Sequence, residues 1–238
     1  MKRHAWRLAV LVVVCGLALQ AFFALRVAAM AVFDPQSTAF QRSEAWRLLV
    51  EQHRIDWTQD WVPRERLGTH IQRAVIASED AGFAEHSGVE WDAIEQAWER
   101  NQRSVARLEA GRAKTAKIVG GSTITQQLAK NLLLSGERTA LRKAQELAIT
   151  MMLETFLSKQ RILEIYLNNV EWGEGVFGAQ AAARHYFRVD AQRMTAMQAA
   201  RLAVMLPAPK RFEKRPNSGY VAGRAQTIVA RMGAVELP

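Results

Sequence analysis

Apolar positions in this chain recur at helical spacing rather than at the alternating spacing of strands. The first apolar block is continuous. Residues 8–25 carry no charge and one amide side chain, Gln20; Arg26 interrupts the run, and residues 27–33 are apolar again. About 20 apolar residues are enough to cross a bilayer as a helix. Lys2, Arg3 and Arg7 precede the block, which places the N-terminus in the cytoplasm and the rest outside it. A cleaved signal peptide is the competing reading, with Ala28 and Ala29 as the cleavage region. The length of the run favours a retained anchor.

Further on, residues 43–54 predict a short amphipathic helix. Trp46, Trp57 and Trp61 lie within or just after it, suited equally to a membrane interface and to a core. Pro63 opens a helix that ends at Glu79, with Ile71, Ala74, Val75 and Ser78 on one face. Residues 89–102 predict another, with Trp91, Ile94 and Trp98 on one side. Residues 100–117 read as a polar, basic connection containing Arg100, Arg103, Arg107, Arg112, Lys114 and Lys117. Thr123 and Gln126 then form a capping box behind Gly120-Gly121-Ser122, so a helix begins there, with Ile124, Leu128 and Leu132 as its buried stripe. Residues 137–156 are the longest clear helical stretch. Ser158 starts the next helix and Asn168-Asn169 ends it. Residues 171–178 are rich in turns, and residues 179–187 form a helix of small side chains. Thr195 and Gln198 cap a helix that runs to Leu206 and stops at Pro207-Ala208-Pro209. A last helix covers residues 218–232. No stretch alternates with period two, so the fold is mainly α with at most a small hairpin.

Composition narrows the partners. The chain has 238 residues and a formal net charge of +9. A basic chain seeks nucleic acid, phospholipid or a phosphorylated substrate. The single cysteine, Cys15, lies in the apolar block, so an intrachain disulfide and a cysteine-rich metal site are both excluded. The five histidines lack metal-ligand spacing.

Three clusters carry candidate chemistry. Glu79 and Asp80 fall at a helix end, close to the negative pole of its dipole. Beside a second carboxylate, a carboxyl holds its proton more tightly, as a general base working near neutral pH requires. Taken alone, the pair reads more simply as a solvated acidic helix end. The helix start near Thr123 turns backbone N–H groups toward an anion-sized space, and Gln126, Gln127, Lys130 and Asn131 follow on its first turns. Arg138, Arg142 and Glu146 share one stripe, with Lys143 alongside. On a surface their ion pairs contribute about 0.3–0.5 kcal/mol each. In a cleft they would make a cationic wall suited to phosphate oxygens.

Together these motifs resemble the peptidoglycan glycosyltransferase family, the bacterial cell-wall glycan polymerases, and in particular its monofunctional biosynthetic transglycosylases. The resemblance covers about residues 60–215. It rests on Glu79-Asp80-x-x-Phe83-x-x-His86-x-Gly88, on the run from Gly121 through Ser122, Thr123, Gln126, Gln127 and Lys130 to Asn131, and on Arg142-Lys143-x-x-Glu146. The run from Ile162 through Tyr166 to Asn168, then Gly178 and Tyr186-Phe187, continue it. The resemblance implies a lysozyme-like helical domain over residues 34–238, after a cytoplasmic stub and transmembrane anchor over residues 1–33. It implies a single-pass inner-membrane protein with a periplasmic catalytic domain. Lipid II and the growing lipid-linked strand would be its substrates, with membrane lipid and other cell-wall synthesis proteins as partners rather than nucleic acid.

The resemblance also assigns roles. Glu79 would be the general base, and Glu146 the second catalytic glutamate. Lys130, Arg138, Arg142 and Lys143 would meet the pyrophosphate. Asp80, Ser122, Thr123, Gln126, Gln127 and Asn131 would bind substrate, Phe83 would pack beside the reacting ring, and His86 would brace the loop. No cofactor is required and no metal ligand is assigned, although a divalent cation (Mg or Mn) could sit at Glu146. Two other functions compete: a lysozyme-like wall-cleaving enzyme, which also uses a glutamate in a helical cleft, and a non-enzymatic membrane scaffold with a lipid-binding basic face.

Overall fold

The computed structural model describes residues 2–111, 115, 121–134, 136–137 and 139–238, the side chain of Ala93 excepted. The chain begins with α1 (Lys2–Ala29), whose side chains are exposed over most of its length. α2 (Ala39–Gln52) follows, starting earlier than the apolar pattern predicts. Thr38 and Gln41 close a capping box there, which satisfies the first free N–H groups four residues before the expected start.

The helix expected from Pro63 to Glu79 is two helices, α3 (Arg64–Leu67) and α4 (Thr69–Glu79). Gly68 between them has φ +77°, and a Cβ there would lie 3.0 Å from the Gln192 backbone. Only glycine takes that backbone conformation without strain. α5 (Trp91–Glu109) runs past the predicted end. Arg100, Arg103 and Arg107 are therefore helical residues and not part of a loose connection; Arg112, Lys114 and Lys117 lie outside the described residues. α6 (Ile124–Leu133) starts at the predicted capping box. α7 (Ala140–Phe156) is capped by Thr139, and α8 (Lys159–Asn169) by Ser158.

The turn-rich stretch forms the expected hairpin, β2 (Glu171–Gly173) against β3 (Val176–Phe177). An earlier two-residue strand, β1 (Thr58–Gln59), joins β3 in parallel. Two residues are too few to show a period, so β1 leaves no mark in the sequence. α9 (Ala179–Phe187), α10 (Ala196–Met205), α11 (Pro209–Phe212) and α12 (Gly219–Met232) complete the domain.

Two packing centres hold these elements together. α4 lies against α10 and α12, burying Ile71, Val75 and Ile76 against the small residues Ala199, Ala200 and Ala203. Each large aliphatic side chain removed from water there contributes about 1.5–3 kcal/mol. α6 lies among α2, α7 and α8 and buries Ile124, Leu128 and Leu132, its predicted stripe. The three early tryptophans separate in role. Trp57 stacks on Phe177 and Trp61 lies under the Arg161 guanidinium, whereas Trp46 is exposed.

α1 is fastened to the domain at two places. Gln20 and Gln145 of α7 exchange amide hydrogen bonds of 2.7 and 3.1 Å. Arg161 of α8 donates to the carbonyls of Met30 and Phe33 and to the Asp34 carboxylate.

Gly178, at φ +82°, joins the sheet to α9, and a Cβ there would stand 2.7 Å from the Asn168 carbonyl oxygen. Gly178→Ala is therefore expected to destabilise the domain by about 1–3 kcal/mol, read as a lowered melting temperature. An unchanged melting temperature would show that the backbone relaxes there without strain.

Candidate active site

Asp80 follows the last residue of α4, and its carboxylate bridges to the start of α6. Oδ2 accepts the Ile124 N–H at 2.9 Å, and Oδ1 lies 2.7 Å from His86 Nε2. The Gly88 N–H donates to His86 Nδ1 at 3.0 Å, which assigns the ring proton to Nε2 and makes His86 the donor to Asp80. Thr123 Oγ1 donates to the Gly88 carbonyl at 2.7 Å and accepts the Gln126 N–H. The anion at this helix start is therefore the protein's own.

Asp80 and Thr123 border a small cavity together with Glu79, and the polar atoms of both are engaged within the loop and the start of α6. Phe83 has no exposed surface and carries the Lys159 ammonium 4.5 Å from its ring centre. His86 braces the loop as expected.

The neighbouring Glu79 is held differently. Gln127 Nε2 donates to its Oε2 at 3.0 Å, and Ser78 Oγ donates to Oε1 at 3.3 Å. The buried Tyr166 hydroxyl donates to Gln127 Oε1 at 2.9 Å, so the amide can only turn its NH₂ toward Glu79. Burial raises the Glu79 pKa above the ordinary carboxylate value; the Gln127 and Ser78 hydrogen bonds oppose this, and the Asp80 charge adds the smallest contribution. The expected direction is right, but burial rather than the adjacent carboxylate leads. Sequence reasoning overlooked Ser78 and Tyr166 as partners of this site. Tyr166 carries the one side-chain polar atom in the buried face Ile162-Leu163-Ile165-Tyr166-Leu167, a signal that could have marked it.

A cleft of about 510 Å³ opens alongside. Ser122, Gln126, Gln127, Lys130 and Asn131 border it from the start and first turns of α6; Arg142, Lys143 and Glu146 border it from α7. Glu146 is only 3 % exposed, so this stripe is not a solvated face. Arg142 Nη1 donates to Glu146 Oε2 at 2.7 Å, and Lys143 Nζ donates to Oε1. Glu146 thus aligns two cations along the cleft. Arg138, assigned to the same wall, lies outside the described residues. Each Glu146 oxygen faces a cationic donor, which disfavours a second cation there. Asp80, His86 and Glu90 bring ligand atoms close together, but the Asp80 and His86 atoms are committed to the loop.

A helical domain with a half-buried carboxylate of raised pKa beside a cation-walled cleft has the build of a lysozyme-like transglycosylase. Residues 47–233 match the transglycosylase family. A biosynthetic peptidoglycan transglycosylase of Burkholderia thailandensis is 54% identical over 222 residues, covering 93% of this chain and 83% of that protein. Its namesake in Burkholderia pseudomallei is 55% identical over 222 residues, with the same coverage of 93% and 83%. One in Paraburkholderia xenovorans is 50% identical over 236 residues, covering 99% and 94%. The chain belongs to the biosynthetic peptidoglycan transglycosylases and is a peptidoglycan glycosyltransferase.

Asp80→Asn would turn an amide NH₂ toward either the His86 or the Ile124 donor, replacing one hydrogen bond by a clash of donors. The variant should lose about 1–3 kcal/mol of stability, measured by denaturant unfolding. A fully stable variant that has lost only turnover would place Asp80 among the substrate-binding residues.

Proposed function

We propose that this glycosyltransferase polymerises lipid II, with Glu79 as general base. The observation that carries the reading is the half-buried Glu79 carboxylate, raised in pKa and held by Gln127, which itself borders a cleft walled by Lys130, Arg142 and Lys143. The acceptor's N-acetylglucosamine 4-hydroxyl attacks C1 of the donor's N-acetylmuramic acid, and its proton passes to Glu79. The C1–O bond to pyrophosphate breaks and its electron pair leaves with undecaprenyl pyrophosphate. The α-linked donor becomes a β-1,4 product, so the anomeric centre inverts. Lys130, Arg142 and Lys143 stabilise charge that grows on the leaving group, which is where fixed cations lower a barrier most. Arg138 belongs to the same group by sequence. Glu146 orients Arg142 and Lys143. Each of its oxygens is paired with a cation, which weighs against the wall-cleaving alternative, where a second carboxylate must act on sugar or water.

Residues 1–33 would form the cytoplasmic stub and anchor, and residues 34–238 the periplasmic domain. α1 is long and apolar enough to cross a membrane. Lipid II presents its sugars outside the cytoplasm, so the cleft must lie there too. Alkaline phosphatase fused after Pro238 should be active in cells. An inactive, stably made fusion would put Glu79 on the wrong side of the membrane and end this reading.

The base assignment has two signatures with labelled lipid II as substrate. Glu79→Gln should slow polymerisation by about 10²–10⁴-fold. Activity should rise with pH as Glu79 ionises, with its midpoint above the ordinary carboxylate value. Gln127→Ala removes a hydrogen bond that favours the ionised form, so the midpoint should move to higher pH. Near-normal turnover of Glu79→Gln, or an unmoved midpoint in Gln127→Ala, would contradict the assignment.

A further inference from the structure

Glu171 is an acidic wall residue of the same cleft, along with Glu137 and Glu146. Glu171 opens β2 and is 6 % exposed. The ladder pairs Glu171 with Phe177 and Gly173 with Val176, so β2 carries one extra residue, Trp172, at a bulge. A bulge re-aims the side chains beside it. Here Trp172 is fully buried, while Glu171 borders the cleft that Lys130, Arg142 and Glu146 also border.

The charges around Glu171 are already engaged with one another. Lys210 of α11 donates to Glu44 of α2 and approaches Glu171 Oε1 only to 3.7 Å. Glu44 is also held by Arg47 at 3.0 and 3.1 Å, and Arg47 pairs in turn with Glu51 and Glu174. Glu213 accepts the Glu174 N–H. Tyr186 of α9 spends its hydroxyl on the Trp172 carbonyl. Across the cleft, Arg142 and Lys143 are paired with Glu146. Glu171 Oε1 is left buried with no hydrogen-bond partner among the described residues. A buried polar atom left in this condition costs about 1–3 kcal/mol, and a ligand in the cleft can recover that.

We propose that Glu171 is a sugar-binding residue that hydrogen-bonds an uncharged acetamido or hydroxyl group of the hexosamine chain in the cleft. The proposal rests on the polymerase reading above. Burial lifts the Glu171 pKa to about 7, with Glu44 and Glu213 adding to the rise and Lys210 opposing it. Near neutral pH a substantial share of the group is therefore the neutral acid, able to donate as well as accept. A cationic ligand would be repelled by Lys130, Arg142 and Lys143. An anion on this side would meet Glu171 and the carboxylates behind it. An uncharged polar group avoids both costs, and Phe40, Val170, Leu206 and Pro209 line the same cleft with apolar surface for a sugar ring.

The test uses the full chain in detergent with labelled lipid II, reading KM and kcat across neutral pH. Glu171→Leu should raise KM by about tenfold, the loss of one hydrogen bond, with a smaller fall in kcat. Glu171→Gln keeps a neutral donor and acceptor, so its KM should stay near that of the unaltered protein. The unaltered protein's KM should climb above pH of about 7, while the Gln variant's should not. If Glu171→Leu does not fold, the flat alkaline limb of Glu171→Gln still decides. Equal KM in all three proteins, or the same alkaline rise in the Gln variant, overturns the proposal and leaves the polymerase reading standing. A folded, unaltered protein that makes no strand from lipid II takes both down.

Discussion

The Asp80 carboxylate is the contact on which the catalytic geometry depends. It lies between the C-terminal end of α4 and the N-terminus of α6, and it gives one oxygen to each side of the joint. Negative charge is favoured at a helix start, and hydrogen bonds to an ionised acceptor are about twice as strong as neutral ones. The joint brings Glu79, on one helix, within reach of Gln127 on the other. The loop between the helices is drawn in by the same group through His86, whose second nitrogen receives the Gly88 amide. Asp80 thus does its work by fixing where its neighbour Glu79 points.

Glu79 and Glu146 both lie near the cleft, and their surroundings make them opposites. Glu79 is met by neutral hydrogen-bond donors, so burial prevails and its proton is held more firmly than in water. Glu146 is met by a guanidinium and an ammonium, and its two oxygens act as a fixed counterion. Burial of a carboxyl therefore does not by itself say what it can do. The character of its nearest donors decides whether it exchanges protons or arranges charges.

The sequence made the helices legible where periodicity, caps and stops agree, as in the capping box of Thr123 and Gln126. It was less legible where one residue decides the outcome. Gly68 divides a continuous-looking helix at a φ of +77°, where its backbone packs closely on Ala191 and Gln192. The candidate site was legible as residue types and less so as contacts. Asp80, Phe83 and Thr123 stand in the right motifs, but which way a side chain faces depends on packing between distant segments. Tyr166 and Glu171 carry the reverse lesson. Their partners come from α6 in one case and from α2 and α11 in the other, and no local pattern announces such meetings.

The two fastenings tie α1, a helix long and apolar enough to cross a membrane, to the domain at two heights. Gln20 lies nine residues before Ala29, about 14 Å along the helix, and there it is bonded to Gln145, next to Glu146. Arg161 grips the chain again just past the helix end. In a bilayer, a loosely tethered domain would be indifferent to how thick the hydrocarbon layer is. A helix bolted at two heights cannot tilt alone to relieve mismatch, and the cleft must tilt with it. With α1 set in a bilayer, the lipid composition around it would act as a mechanical input to the angle of the cleft.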